Sequence, residues 1–84
     1  MNISKREQRV LHALAQGGQI RHMREAGKVT EVLCVTRDGL ILSDCTLDLF
    51  ARLRKRRLIE SQNGRPYRIS LRGRLSVRAQ PDNR

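Results

Sequence analysis

The first apolar stripe along the chain has the spacing of an amphipathic helix. A capping-box pair, Ser4 with Glu7, opens it, and apolar residues follow at helical spacing as far as Leu14. The Gly17-Gly18 pair then supplies a stop signal. The sequence therefore predicts a first helix over residues 5–16.

The next stretch changes to the pattern of short strands. Residues 19–42 are rich in β-branched side chains, with one clear strand over 29–36 and a returning strand over 40–42. Residues 26–28 form one predicted turn, and Asp38-Gly39 is a hairpin signal. We expect a small antiparallel meander here.

A second apolar stripe predicts a second helix. Ser43, Asp44 and Thr46 are candidate N-caps, and the stripe runs from Leu47 to Leu53, with Leu58 as a further candidate. The same segment is strongly basic towards its end. Basic residues suit the last turn of a helix because the helix dipole is negative there.

The following residues predict a hairpin. Strands over 58–62 and 65–71 flank Asn63-Gly64, the dipeptide most typical of a tight hairpin turn. A short helix over 72–80 is compatible with the pattern, although Gly73 disfavours it.

The apolar positions of these elements define a predicted core. The chain has one Tyr, one Phe and no Trp, so aliphatic residues must fill most of it. The core list is Val10, Leu11, Leu14, Val32, Leu33, Leu40, Leu42, Leu49, Phe50, Leu53, Ile59, Tyr67 and Ile69.

The order of elements predicts an α+β fold. A basic helix followed by a hairpin with an Asn-Gly turn is typical of winged-helix domains, in which a helix enters the DNA groove and the wing touches phosphates. We expect a small winged-helix-like domain, with its helices packed on short antiparallel hairpins, over residues 1–80 and a tail over 81–84. One feature departs from that pattern: residues 19–42 predict strands where a standard winged domain has a helix.

Length and composition narrow the classes of protein. Eighty-four residues suffice for one domain and a thin core. No apolar run approaches the roughly 20 residues of a membrane span. The polar N-terminus lacks the apolar core of a signal peptide, so we expect a cytoplasmic protein. The sequence leaves a monomer and a homodimer both open.

Charge is the strongest compositional signal. The formal net charge is +10, and 15 of the 18 basic residues are Arg, which suits two-pronged contacts with phosphate or carboxylate. The second half is the more basic, and the spacing of Arg52, Lys55 and Arg56 predicts one shared helix face. A polyanionic partner is one interpretation, and a charged solvated surface is the other. The candidate partner- or nucleic-acid-binding residues are Arg52, Arg54, Lys55, Arg56, Arg57, Arg65 and Arg68.

Catalytic and metal chemistry find little support in the sequence. The two cysteines, Cys34 and Cys45, and the two histidines match no zinc spacing. We interpret Cys34 as a buried structural residue, because it lies in an apolar strand. A predicted helix start beside Cys45 could lower the pKa of the Cys45 thiol. We therefore predict no cofactor, no metal and no enzymatic activity. A metal-independent ribonuclease built from Arg, Tyr67 and a His stays as a minor alternative.

Three segments carry a resemblance to a known family: residues 44–47, Asn63-Gly64-Arg65-Pro66-Tyr67-Arg68-Ile69, and residues 77–84. Through these segments and along its whole length, the chain resembles the YjhX-type bacterial proteins. This resemblance implies a non-enzymatic toxin of a toxin–antitoxin pair, neutralised by a cognate antitoxin. It also implies inhibition of bacterial DNA topoisomerase I through protein–protein binding. The alternative is a winged-helix-like DNA-binding protein or small transcription regulator.

Overall fold

The computed structural model describes residues 3–78 as three helices and two small antiparallel sheets. In chain order the elements are α1 (Lys5–Ala15), β1 (Gln19–Glu25), β2 (Lys28–Val35), β3 (Ile41–Leu42), α2 (Leu47–Lys55), β4 (Ile59–Glu60), β5 (Arg68–Ile69) and α3 (Leu71–Arg78). The predicted α+β class is confirmed. Within the described range no helix is long and apolar enough to cross a bilayer.

The predicted capping box starts α1. The Glu7 N–H donates to Ser4 Oγ at 3.2 Å, and the Ser4 N–H donates in return to Glu7 Oε1 at 3.1 Å. These two bonds satisfy donors that a helix start otherwise leaves open. The helix ends at Ala15, one residue earlier than predicted, and Gly17 follows with φ +107°.

The predicted meander is confirmed as a three-stranded sheet in the order β1-β2-β3. Ala26 and Gly27 join β1 to β2, and both have the positive φ that a two-residue hairpin turn requires. In the sheet, Ile20 lies opposite Cys34 and both side chains are buried. This pair marks the face that covers the core.

Thr46 is the N-cap of α2, because its Oγ1 accepts the Leu49 N–H at 3.2 Å. At the other end, Arg57 has φ +60° and its N–H donates to the Arg54 carbonyl at 3.0 Å. The Leu58 N–H donates to the Leu53 carbonyl, also at 3.0 Å. Together these bonds form a Schellman motif, which usually places glycine where Arg57 lies.

The predicted second hairpin forms but is shorter than expected. Asn63 and Gly64 both have positive φ, as the Asn-Gly signal predicts. Only two residue pairs continue the ladder between β4 and β5. The backbone of Tyr67 instead exchanges two 2.8 Å hydrogen bonds with Ile20, which ties this hairpin to β1.

The winged-helix likeness is not confirmed. A three-stranded sheet occupies residues 19–42, the segment between α1 and α2 where a standard winged domain has a helix. α3 forms in spite of Gly73, whose α-carbon packs against the Leu58 carbonyl and the Ile69 side chain. The predicted end of this helix at residue 80, the domain boundary there and the tail over 81–84 lie outside the described residues.

The predicted core is correct in both long helices and the second hairpin, and partly wrong in the meander. Leu33 and Leu40 are 40% and 67% exposed, and Val32 and Leu42 are only partly buried. Leu33 faces away from the core because side chains alternate along a strand and its neighbour Cys34 faces inward. The buried apolar residues that the core list lacks are Ile20, Cys34, Cys45, Leu58 and Val77. Of these, the sequence separately predicts Cys34 as a buried structural residue.

Candidate functional site

The seven predicted binding residues occupy three different surroundings. Three of them lie on α2, two at its C-terminal end and two on the second hairpin. All are exposed except Arg56. The structure therefore does not bring all seven residues onto one surface. Arg54 and Arg56 each contact a different part of the fold.

Arg56 is half-buried and reaches a carboxylate on α1. Its Nη1 lies 3.6 Å from Oε2 of Glu7, a carboxylate whose side chain is 5% exposed. No hydrogen bond satisfies that Oε2 atom among the described residues. Arg56 therefore balances a buried charge, which is a structural role that the predicted common face of Arg52, Lys55 and Arg56 did not include.

Arg54 has a different neighbour, an aromatic ring on its own helix. Its guanidinium carbon lies 5.2 Å from the centre of the Phe50 ring, within the range of a cation–π contact. Arg54 also lies close enough to His22 on β1 to affect its ionisation. It therefore belongs to a different cluster from the rest of the predicted set.

The remaining five residues form what we call the basic band: Arg52, Lys55, Arg57, Arg65 and Arg68. Within residues 3–78, no carboxylate makes an ion pair with any of them. Arg68 Nη1 donates a long hydrogen bond, 3.5 Å, to Gln19 Oε1. The band thus presents guanidinium and ammonium groups to solvent with most donors available for a partner.

Arg57 is the most unusual member of the band. A bulky residue with positive φ is uncommon, since the left-handed conformation costs roughly 1–2 kcal/mol for a side chain with a Cβ. The buried Ser70 holds this segment in place: its hydroxyl donates to the Arg57 carbonyl at 2.7 Å and accepts the Gly73 N–H at 3.0 Å. The fold therefore keeps an arginine at a position that favours glycine.

A second group of polar side chains meets beside β1, and we call it the His22 cluster: His22, Arg24, Arg54 and Tyr67. The Tyr67 ring packs edge-on between His22, at 5.0 Å, and Phe50, at 4.9 Å. Arg24 Nη2 donates to the Tyr67 hydroxyl oxygen at 3.5 Å. Burial, followed by the charges of Arg24 and Arg54, lowers the pKa of His22.

The two cysteines lie side by side in the core. Cys34 is 1% exposed and Cys45 is 8% exposed, and both are reduced. The hydrogen bond with Cys34, then burial, raises the pKa of the Cys45 thiol. The lowering that a helix start would produce is therefore overridden, and Cys45 is a core residue here. In the part of the chain that the structure describes, no group of three or more metal-ligating side chains converges.

The sequence did not predict the tertiary contacts of Glu7, Arg24 and Arg54. Arg24 follows a register shift after Met23, and such irregularities re-aim side chains in a way that no pattern predicts. Glu7 was recognisable only as a capping residue. Its burial and its neighbour Arg56, just beyond the end of α2, are tertiary effects.

Comparison with known proteins identifies relatives along the whole chain. A family model described as "Putative toxin of bacterial toxin-antitoxin pair", the YjhX toxin family, matches residues 1–84. UPF0386 proteins of Brucella anthropi, Beijerinckia indica and Aliivibrio fischeri are 63%, 64% and 55% identical, each over the full length of both chains. No solved structure matches significantly. The resemblance seen in the sequence is thereby confirmed, and the chain belongs to the YjhX toxin family.

Proposed function

We propose that this protein is the toxin of a toxin–antitoxin pair and acts in the cytoplasm by binding a protein target, without catalysing a reaction. The contact surface in this proposal is the basic band. A cognate antitoxin would neutralise the protein by competing for the same surface. The proposed target is bacterial DNA topoisomerase I, which the family resemblance implies.

The observation that carries this proposal is Arg57 in a left-handed conformation, within a basic band that makes no ion pair among the described residues. Glycine would relieve the backbone strain at this position, so an arginine there needs a reason other than folding. An exposed guanidinium that points at a partner supplies one. Arginine is enriched in the energetically important part of protein interfaces.

The charge of the band defines the kind of surface that it fits. An acidic patch on a protein gains in association rate and specificity from complementary charge, and Arg can bind each carboxylate with two hydrogen bonds. A DNA enzyme also has a channel that binds phosphates. A basic protein competes with DNA more readily on an acidic surface beside that channel than inside it, because like charges repel.

The test is capture of purified, nuclease-treated topoisomerase I on resin that carries this protein. A resin that carries lysozyme, which is similarly basic, measures non-specific charge binding. We expect retention above this control, and the R52E/K55E variant should lose most of it because two exposed contacts reverse their charge. Retention no greater than on lysozyme resin would refute topoisomerase I as the target.

A matched variant tests whether loss of capture depends on where the charges are reversed or only on the net charge of the protein. K28E/R37E reverses two exposed residues, one at the start of β2 and one in the turn between β2 and β3, and changes the net charge by the same amount. We expect it to capture the target like the original protein. Equal losses in both double variants would remove the basic band as the contact surface.

Arg57→Gly tests the central observation without weakening the fold. We expect a free energy of unfolding equal to that of the original protein or up to about 1 kcal/mol higher, because glycine relieves the left-handed strain but adds chain entropy. Capture of the target should nevertheless fall. Urea unfolding and the same resin assay measure the two effects. A variant that is no less stable and captures as before would show that Arg57 makes no contact.

Nucleic acid is the alternative partner. If capture disappears after nuclease treatment, and a DNA duplex binds with an affinity that falls steeply with salt, the DNA-binding regulator becomes the better function. The slope is diagnostic because each neutralised phosphate releases counterions. Arg65 and Arg68 on the second hairpin would then be the first positions to substitute.

A further inference from the structure

The His22 cluster gathers two guanidinium groups, an imidazole and a phenol from separate parts of the fold. His22 and Arg24 come from β1, Arg54 comes from α2, and Tyr67 precedes β5. Across the sheet, the residue opposite His22 is Val32, which is apolar. No acidic side chain in the described range makes an ion pair with Arg24 or Arg54. The acidic residue Glu31, on the neighbouring strand, lines a cavity with His22 and makes no ion pair with either arginine. The fold thus leaves both guanidinium groups without an ion-pair partner among the described residues.

The hydrogen-bonding groups of the cluster are mostly donors. Each guanidinium has five N–H groups, and among residues 3–78 Arg24 donates two long hydrogen bonds of 3.5 Å, to the Gly27 carbonyl and the Tyr67 hydroxyl. Because Tyr67 accepts from Arg24, its own O–H remains able to donate. Nδ1 of His22 is buried and has no hydrogen-bond partner among the described residues. A ligand that only accepts hydrogen bonds would match this arrangement.

The number of donors favours phosphate over carboxylate. A carboxylate offers two oxygens, which a single guanidinium can occupy. A terminal phosphate offers three strongly accepting oxygens and more negative charge. Both arginines are exposed, so such a group can reach them from solvent. We propose that His22, Arg24, Arg54 and Tyr67 form a phosphate-binding site between β1 and α2.

This site does not depend on the proposed function. The basic band contains none of the four residues, and the R52E/K55E variant leaves all of them in place. Loss of topoisomerase capture and loss of phosphate binding are therefore separate results. The phosphate could be inorganic, belong to a nucleotide or belong to a nucleic-acid backbone, and the test distinguishes these three sources.

The pKa of His22 is the quantity that reports binding. The chain has two histidines, so the pKa of His12 serves as an internal control. NMR titration of both imidazoles is recorded in buffer, with inorganic phosphate, with a nucleoside monophosphate and with a short single-stranded DNA, all at equal ionic strength. A bound anion stabilises the imidazolium form, so it should raise the pKa of His22 and leave His12 unchanged. Binding should accordingly tighten as the pH falls through that pKa. The probe that binds most tightly identifies the source.

The variant R24Q/R54Q should weaken phosphate binding by about tenfold or more, since each lost guanidinium removes charge-assisted hydrogen bonds. Arg21→Gln is the matched control, because Arg21 is exposed on the same strand and lies outside the cluster. Equal binding by R24Q/R54Q and the original protein would overturn the proposal. So would an equal shift of His12, no shift of His22 with any of the three probes, or a larger shift of His22 with acetate or with a glutamate-rich peptide.

Discussion

Arg56→Glu is expected to lower the free energy of unfolding by about 2 kcal/mol or more. The substitution places a second carboxylate beside Glu7, whose side chain is 5% exposed and whose Oε2 lies 3.6 Å from Arg56 in the original protein. Breaking a fully buried ion pair costs roughly 3–5 kcal/mol, and partial exposure of Arg56 reduces that figure. Domains of this size have little stability to lose, so a large unfolded fraction is expected. Urea unfolding followed by circular dichroism measures the change.

Arg52→Glu is the matched control on the same helix. Arg52 is exposed and has no ion pair within residues 3–78, so its reversal should cost at most about 1 kcal/mol, which is the effect of a negative charge in the last turn of α2. The double variant R56E/E7Q should recover part of the loss, because Gln retains the capping box while removing the buried charge. Equal stabilities of R56E and R52E would contradict the structural role of Arg56.

These effects determine how charge reversal on α2 has to be interpreted. A protein with Arg52, Lys55 and Arg56 all reversed would lose binding through unfolding as well as through surface charge. The double variant R52E/K55E leaves the contact between Glu7 and Arg56 intact. It is therefore the variant that reports on binding alone.

Gly73→Ala is expected to destabilise the protein by about 2 kcal/mol or more, although helix propensity alone predicts a gain of about 1 kcal/mol. A Cβ at this position would overlap the Leu58 carbonyl and lie 2.7 Å from Cγ1 of Ile69. Backbone atoms cannot move aside as a flexible side chain can, so α3 would have to shift away from β4 and β5. The opposite signs of the two effects make the experiment decisive.

Arg74→Ala is the control for Gly73→Ala. Arg74 is exposed on the same helix, so its replacement by alanine tests propensity without a new close contact. We expect a change within about 0.5 kcal/mol. Thermal unfolding of both variants checks the comparison. An increase in the melting temperature of Gly73→Ala would mean that α3 does not pack closely against Leu58.

Local signals determined most of the secondary structure. The Ser4–Glu7 capping box, the Thr46 cap and the Asn63-Gly64 turn involve residues within four positions of one another, so their hydrogen bonds form wherever the chain folds. Composition likewise determined the net charge and the surplus of arginine. The family was recognisable from residues along the whole chain, because that resemblance requires no knowledge of contacts.

Only the tertiary structure decided which face of each element is buried and which arginines are available. Leu33 and Cys34 are adjacent and both apolar, so the sequence could not determine the inward side chain; the pairing of Cys34 with Ile20 did. Arg54 and Arg56 are two residues apart, yet one lies over Phe50 and the other beside Glu7. Such contacts join residues that are distant in sequence, and their energies depend on burial, which a local pattern does not contain.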